Sequence, residues 1–281
     1  MKVLLIPNLN KPSALEVLHK AGDILVQNGA LLLMEAADIP HAKPAWNATA
    51  CPAGEGFAAC DMVLTIGGDG TMLHAARHTM RTGKPLLGIN TGRLGFLTSI
   101  ESNEVEKLHR LAKGEYLIQQ RSVLCATTQA RKDVYYALND VVLCKYAPER
   151  AISLHIHCDD ILVSRFRGDG VIFATPTGST AYSMSAGGPI VDAALGGIVV
   201  TQICAHIVHT PPLVFAPARI LQVQSCGTPE EAVFLSCDGA QNIVLEHGET
   251  VTIAQADKTV PLVQFNEAEQ LMSIDTKLKG R

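Results

Sequence analysis

Over the first third of the chain, apolar residues alternate between short continuous runs and amphipathic stretches. Lys2–Ile6 is a short apolar run that reads as a strand. Pro12 follows where a first helical turn tolerates it. Leu15, Val17, Leu18, Ala21, Ile24 and Leu25 then recur with a mostly helical period that ends at Asn28-Gly29. Leu31–Glu35 reads as a second strand. Residues 38–59 hold three prolines, two glycines and no period, and are expected to be a loop. Met62–Ile66 predicts a strand, Thr71–Met80 a helix and Leu86–Ile89 another strand. This alternation predicts a parallel sheet flanked by helices.

From about residue 116 the pattern becomes a succession of β-rich runs: Leu124–Gln129, Val134–Leu138, Val141–Cys144, Ile152–His157, Ile161–Phe166 and Val171–Ala174. Ile220–Gln224, Ala232–Cys237 and Thr250–Ala254 follow. Turn residues separate them, as in a β-sandwich or a similar antiparallel domain. Only Thr180–Ser185 looks helical there, and Glu267–Lys279 suits a last helix. The expected organisation is an α/β domain over residues 1–120, a β-rich domain over 121–265, and a C-terminal tail, 266–281, returning to the first domain.

Composition narrows the function classes. The chain has 281 residues, 47% hydrophobic, enough for a substantial core. Net charge is −4 with 18% charged residues, so no nucleic acid or anionic membrane is expected as a partner. The apolar run before Pro7 is too short for a signal peptide. The stretch from Leu195 to Val208 is interrupted by Gln202 and His206 and cannot span a membrane. Eight cysteines form no CxxC pair and read as reduced thiols of a cytoplasmic protein.

The sharpest motif is Thr65-Ile66-Gly67-Gly68-Asp69-Gly70-Thr71 at a strand-to-helix junction. Gly67, Gly68 and Gly70, with Thr71, are expected to form a phosphate loop. Glycines permit positive-φ turns and close approach of amide N–H groups, and the following helix aims its unpaired N–H groups and dipole at the same place. A carboxylate there is costly unless used, so Asp69 is the candidate general base or metal ligand. The competing reading is that Asp69 caps the helix. Leu73 stands where a GxGxxG fingerprint needs glycine, and no GxxxxGK[ST] occurs.

A second polar cluster is Arg167-Gly168-Asp169-Gly170, followed by the run from Thr175 to Pro189. Its hydroxyls and small residues suit the edge of a base or a ribose. Alternatively it is a short helix capped by Ser179 or Thr180. Asn139-Asp140, at the head of an apolar strand, can pair with an adenine edge and ribose hydroxyls, or be merely a turn. The histidines are scattered along the chain, and each is more readily structural than catalytic.

Together these segments resemble the NAD kinase family over most of the chain. The residues that carry the resemblance are Gly67-Gly68-Asp69-Gly70-Thr71, Asn90 through Thr98, Asn139-Asp140 and Thr175 through Pro189. Asn8 to Pro12 and Cys237-Asp238-Gly239 also fit. The resemblance implies a Rossmann-like α/β domain, a β-rich domain with the site between them, and transfer of a phosphoryl group from ATP or another donor to the adenosine ribose 2′-hydroxyl of NAD. It makes Asp69 the base, with Gly70 and His74 beside the NAD. Asn139 and Asp140 hold the adenosine, and Thr180, Ala181, Tyr182, Ser183, Met184 and Ser185 line the same pocket. Arg150, Arg167, Asp169 and Cys204 fall along the rest of the dinucleotide. A divalent cation, usually Mg2+, and a homodimer or homotetramer are implied as well.

Three positions depart from the family pattern. Asp140 stands for the usual Glu, Ala240 precedes Gln241 after Asp238-Gly239, and Gln202-Ile203-Cys204-Ala205-His206 keeps only the histidine of a common Pro-x-x-Pro-His. The rival readings are a kinase with a lipid or sugar acceptor and a non-catalytic NAD(P)-binding regulator. The polar run at Thr175–Ser185 opposes the first, and the carboxylate of Asp69 opposes the second.

Overall fold

The computed structural model describes residues 1–92, 95–131, 133–206, 210–267 and 274. The chain divides into two compact units, Met1–Arg121 with Thr259–Arg281, and Ser122–Lys258. Among the described residues, no helix is long and apolar enough to cross a membrane.

In the first unit the chain runs β1 (Lys2–Pro7), α1 (Ala14–Gln27), β2 (Leu31–Glu35), β3 (Thr49–Cys51), α2 (Gly56–Ala59), β4 (Met62–Gly67), α3 (Asp69–Thr82), β5 (Leu86–Asn90), β6 (Ile100–Glu101) and α4 (Leu108–Ala112). The sheet is parallel, in the order β5-β4-β1-β2-β3. The winding therefore proceeds outward from β1 on one side and resumes with β4 and β5 on the other. Alternate residues of each strand face opposite layers. Val3, Leu5, Leu64, Ile66, Leu87 and Ile89 join Val17, Leu18, Ala21 and Leu25 of α1 in one core. The other face meets α3, where the Thr65 hydroxyl donates to Met72 Sδ at 3.0 Å. Right-handed crossovers running in opposite directions demand this split. It opens the crevice between the carboxyl ends of β1 and β4, where sheets of this kind bind ligands.

The expected loop at 38–59 is instead ordered, with 3-10 turns at Ile39–His41 and Pro44–Trp46, then β3 and α2. A tertiary anchor supplies what local periodicity lacked. Trp46 is 6% exposed, its ring covers Gly22 of α1, and its Nε1 donates to Asp23 at 2.9 Å.

The remaining strands are β7 (Leu117–Thr128), β8 (Val134–Ala137), β9 (Asp140–Lys145), β10 (Ile152–Cys158), β11 (Ile161–Gly168), β12 (Gly170–Ala174), β13 (Ile198–Ile203), β14 (Leu213–Phe215), β15 (Leu221–Ser225), β16 (Val233–Cys237), β17 (Ala240–Val244) and β18 (Thr250–Gln264), with α5 (Tyr182–Ser185) between β12 and β13. In the second unit they form two antiparallel layers, β11-β10-β15-β18 and β14-β13-β12-β9-β16-β17. Leu154, Ile156, Val223 and Val251 from the first layer share a core with Leu143, Val171, Phe173, Val200 and Leu235 from the second. The end of β18 belongs to the first unit, where Leu262 pairs in parallel with Leu86.

The sequence pattern predicts no strand at β13, β14 or β17. β13 lies within the apolar stretch from Leu195 to Val208, and a strand buried along its length shows no alternation. The expected helix Thr180–Ser185 resolves into a 3-10 turn, Gly178–Thr180, and the single-turn α5. Of the expected last helix, Glu267–Lys279, all but Glu267 and Ile274 lie outside the described residues.

Candidate active site

Three loops meet at the carboxyl ends of β1, β4 and β5. The Asn8 N–H donates to Ile66 O (2.8 Å), the Thr91 N–H donates to Gly67 O (2.7 Å), and the Ser13 hydroxyl donates to Thr91 O (2.8 Å). Their junction surrounds a cavity of about 460 Å³ lined by Asn8, Lys11, Gly68, Asp69, Gly70, Thr71 and Gly95.

Asp69 is the first residue of α3, and Gly68 takes the cap position in extended conformation. The Asp69 carboxylate does not cap its own helix. Oδ2 accepts the Phe96 N–H at 2.8 Å and Oδ1 the Leu97 N–H at 3.1 Å. Gly95 admits it, since a Cβ there would lie 2.1 Å from Asp69 Oδ1. Two amides thus fix the carboxylate's direction and leave lone pairs for a proton. His74 lies one turn further along α3, exposed.

The expected positive-φ turns are not present in the phosphate loop; none of Gly67, Gly68 and Gly70 has positive φ. Close approach explains Gly67 instead, where a Cβ would meet Thr71 Oγ1 at 2.2 Å; one on Gly68 would meet only the flexible end of Lys11, with Nζ at 2.9 Å. Around Gly70 the same space is empty, which leaves the entrance of α3 open.

In the second unit, Asn139 and Asp140 stand where β9 begins, beside the end of β12. Asp238 holds their backbone. Its carboxylate accepts the N–H of Leu138 (2.8 Å), Asn139 (2.7 Å) and Asp140 (3.2 Å), from a left-handed residue with φ +51. The Asn139 carbonyl accepts the Thr175 N–H at 2.9 Å. Asp140 is 6% exposed, and its carboxyl is pushed up to about 7, chiefly by burial and next by the charge of Asp238. The Tyr182 N–H donated to it pulls the other way.

Thr175–Ser185 is fixed mostly by its own hydroxyls. Thr175 Oγ1 donates to Leu138 O, Ser179 Oγ to Pro176 O and Thr180 Oγ1 to Thr177 O, while Ser183 Oγ shares a bond with Thr201 Oγ1. Ser179 and Thr180 cap no helix; Ala181 precedes α5. Met184 is half-buried and Ser185 exposed. Gly178 is indispensable, because a Cβ would stand 1.9 Å from Asn139 O. Gly178→Ala is therefore expected to lower stability by about 1–3 kcal/mol or more, measured as a shifted midpoint in urea; a wild-type midpoint would show that the turn can yield.

The Tyr182 phenol is pushed up by partial burial, then by the thiols of Cys144 and Cys204 and the carboxylates of Asp169 and Asp140. Asp169 pairs with Lys145 at 2.7 Å, and Arg167 with the half-buried Glu231 at 3.3 Å. Cys204 is exposed with φ +48. Arg150 is left out of this group. It is exposed in the turn after β9, where its charge acts on Glu230.

Sequence reasoning assigns no role to Lys11, Asp238, Lys145 or Glu231. Lys11 and Asp238 fall within the motif segments, but their partners are remote in sequence. No local signal marks Lys145 or Glu231.

Residues 3–116 match the ATP-NAD kinase N-terminal domain and residues 138–265 the ATP-NAD kinase C-terminal domain. The chain is 37% identical over 270 residues to the NAD kinase of Symbiobacterium thermophilum, covering 94% of each chain. It is 36% identical over 281 residues to that of Chlorobium luteolum, covering 99% of this chain and 96% of the relative. Among solved structures, an NAD kinase from Archaeoglobus fulgidus in complex with ATP superposes with TM-score 0.77 at 25% identity, with both chains covered in full. Yeast NADH kinase complexed with NADH shares the fold, with TM-score 0.87 at 24% identity, over 99% of this chain and 87% of the yeast one. Matched through both domains and at this identity along nearly its whole length, the chain belongs to the NAD kinase family.

Proposed function

We infer that this protein is a kinase that phosphorylates NAD, transferring the γ-phosphoryl group of ATP to the adenosine ribose 2′-hydroxyl to give NADP and ADP. The observation that carries the reading is Asp69, a carboxylate held by two amides at the wall of a glycine-lined cavity at a helix start. Helix N–H groups suit the donor phosphates. Asp69 takes the hydroxyl proton as the 2′-oxygen bonds to the γ-phosphorus, and the bond to the β–γ bridging oxygen breaks with ADP leaving. Positioning and charge stabilisation provide most of the acceleration in such transfers.

Asn139 and Asp140 are assigned to the adenosine, and Thr180 through Ser185 to the walls beside it. A divalent cation belongs to the same reading, as do the cytoplasmic location and the homo-oligomer implied by the resemblance. Among the described residues no group of three or more His, Cys, Asp or Glu is placed to hold a metal. Asp69 is the one carboxylate among the residues lining the cavity, which fits a Mg2+ carried mainly by phosphates. That ion supplies neutralisation of the β- and γ-oxygens when bound. The direct test is NADP formation from NAD, ATP and MgCl2 by the purified chain. No NADP, with phosphorylation of a lipid or sugar instead, would overturn the reading.

Asp140 gives the reaction a pH signature. An Asp ordinarily loses its proton near 3.8, whereas folded Asp140 keeps it to about 7. The folded state binds more protons across that window, so Asp140 makes the NAD-free protein less stable as pH rises from about 4 to about 7. An ionised carboxylate accepts ribose hydroxyls more strongly than a protonated carboxyl does, so NAD binding should strengthen as pH rises through the same midpoint. KM for NAD is expected to fall between about pH 6 and pH 8, and Asp140→Asn to flatten the profile. An identical slope in the variant would take Asp140 out of NAD recognition.

A further inference from the structure

We propose that Lys11 is the cation that holds the donor's terminal phosphates, and so a catalytic residue of the transfer; the role in catalysis rests on the kinase reading above, the phosphate contact does not. Lys11 lies in the turn between β1 and α1, fixed by its N–H to Asn8 O (3.1 Å) and by its carbonyl accepting the Ala14 N–H (3.0 Å). Its side chain reaches across to the phosphate loop. Nζ stands 2.9 Å from where a Cβ of Gly68 would be and 3.1 Å from that of Gly92. Neither glycine could be replaced without displacing the ammonium group.

The ammonium lacks what surface lysines usually find. Among the described residues, Lys11 enters no ion pair, and its side chain makes no hydrogen bond to a protein acceptor. Asp69, the carboxylate on the same cavity, is turned toward the Phe96 and Leu97 amides. A half-buried cation and the amino end of a 14-residue helix converge on one glycine-lined space. Both suit an anion rich in acceptor oxygens, and phosphate meets that need at a lysine point charge.

As the phosphoryl group passes from the β–γ bridging oxygen to the 2′-oxygen, negative charge moves onto the departing ADP. An ammonium at the β- and γ-oxygens offsets that charge, so Lys11 acts on kcat as well as on donor binding.

Calorimetry with MgATP and with inorganic tripolyphosphate tests this on wild type, Lys11→Met and Lys11→Arg. Lys11→Met is expected to weaken both ligands by about ten-fold or more, to lower kcat, and to leave NAD affinity unchanged. Lys11→Arg, which keeps the charge, should retain binding within a few-fold. Unweakened binding of both phosphates by Lys11→Met would overturn the proposal, as would an equal loss in Lys11→Arg. Footprinting the wild-type protein with a lysine-acetylating reagent needs no variant. Tripolyphosphate should protect Lys11 and adenosine should not; no protection counts against the contact. If tripolyphosphate binding depends on Lys11 while wild type forms no NADP, the kinase reading fails and the phosphate site stands.

Discussion

Asp69→Asn is expected to lower kcat for NADP formation by about 10²–10⁴-fold, the usual loss when a general base is removed. An amide in place of the carboxylate cannot take the 2′-hydroxyl proton. A second effect adds to the first. The amide can accept the Phe96 or the Leu97 N–H through its single oxygen, but it turns an NH2 toward the other. The loop should loosen and the side chain lose its aim. NAD affinity, measured without ATP, should change little, because binding needs no base. Turnover near wild type in a folded Asp69→Asn protein would remove Asp69 from the chemistry.

Asp238→Ala should produce the largest loss of stability. One carboxylate accepts three consecutive backbone N–H groups, from Leu138 to Asp140, and a methyl group offers them no acceptor. Bonds from amides to a charged acceptor contribute about 1.5–3 kcal/mol each and are not additive, so a loss of at least ~3 kcal/mol is expected. Ala also tolerates the left-handed backbone at φ +51 less well than Asp. Asp238→Asn keeps that tolerance and one acceptor oxygen and should fall between. NAD use should drop with stability, because the strand start that presents Asn139 and Asp140 is what Asp238 fixes. The loss of its charge should also lower the pH at which Asp140 ionises. A urea midpoint for Asp238→Ala equal to that of wild type would show that the three amides find other acceptors.

Much of this protein is legible in the order of its residues. Strand and helix periods along β1, α1, β2, β4, α3 and β5 are local properties, set by side-chain direction on each element, and they place Gly67 to Thr71 at a strand end before any fold is known. The same holds for the change to β-rich texture and for the run Thr175–Ser185, whose hydroxyls satisfy neighbours three residues away. The family resemblance rests on these local segments.

What the sequence does not contain is the pairing of distant residues. The segment 38–59 has no period because Trp46, packed on Gly22 and Asp23, orders it from outside. The buried strand β13 has apolar residues on both faces and so no alternation to read. The glycines of the phosphate loop look like turn glycines, yet Gly67 is a space for Thr71, and beside Gly68 stands the end of a lysine 57 positions away in the chain. Asp69 is oriented by amides 27 and 28 residues on, and Asn139-Asp140 by a carboxylate 98 to 100 residues on. Local sequence fixes which groups stand at the ends of strands, because that depends on backbone periodicity. Which of those ends become neighbours depends on strand order, and strand order is decided by burial of the whole sheet.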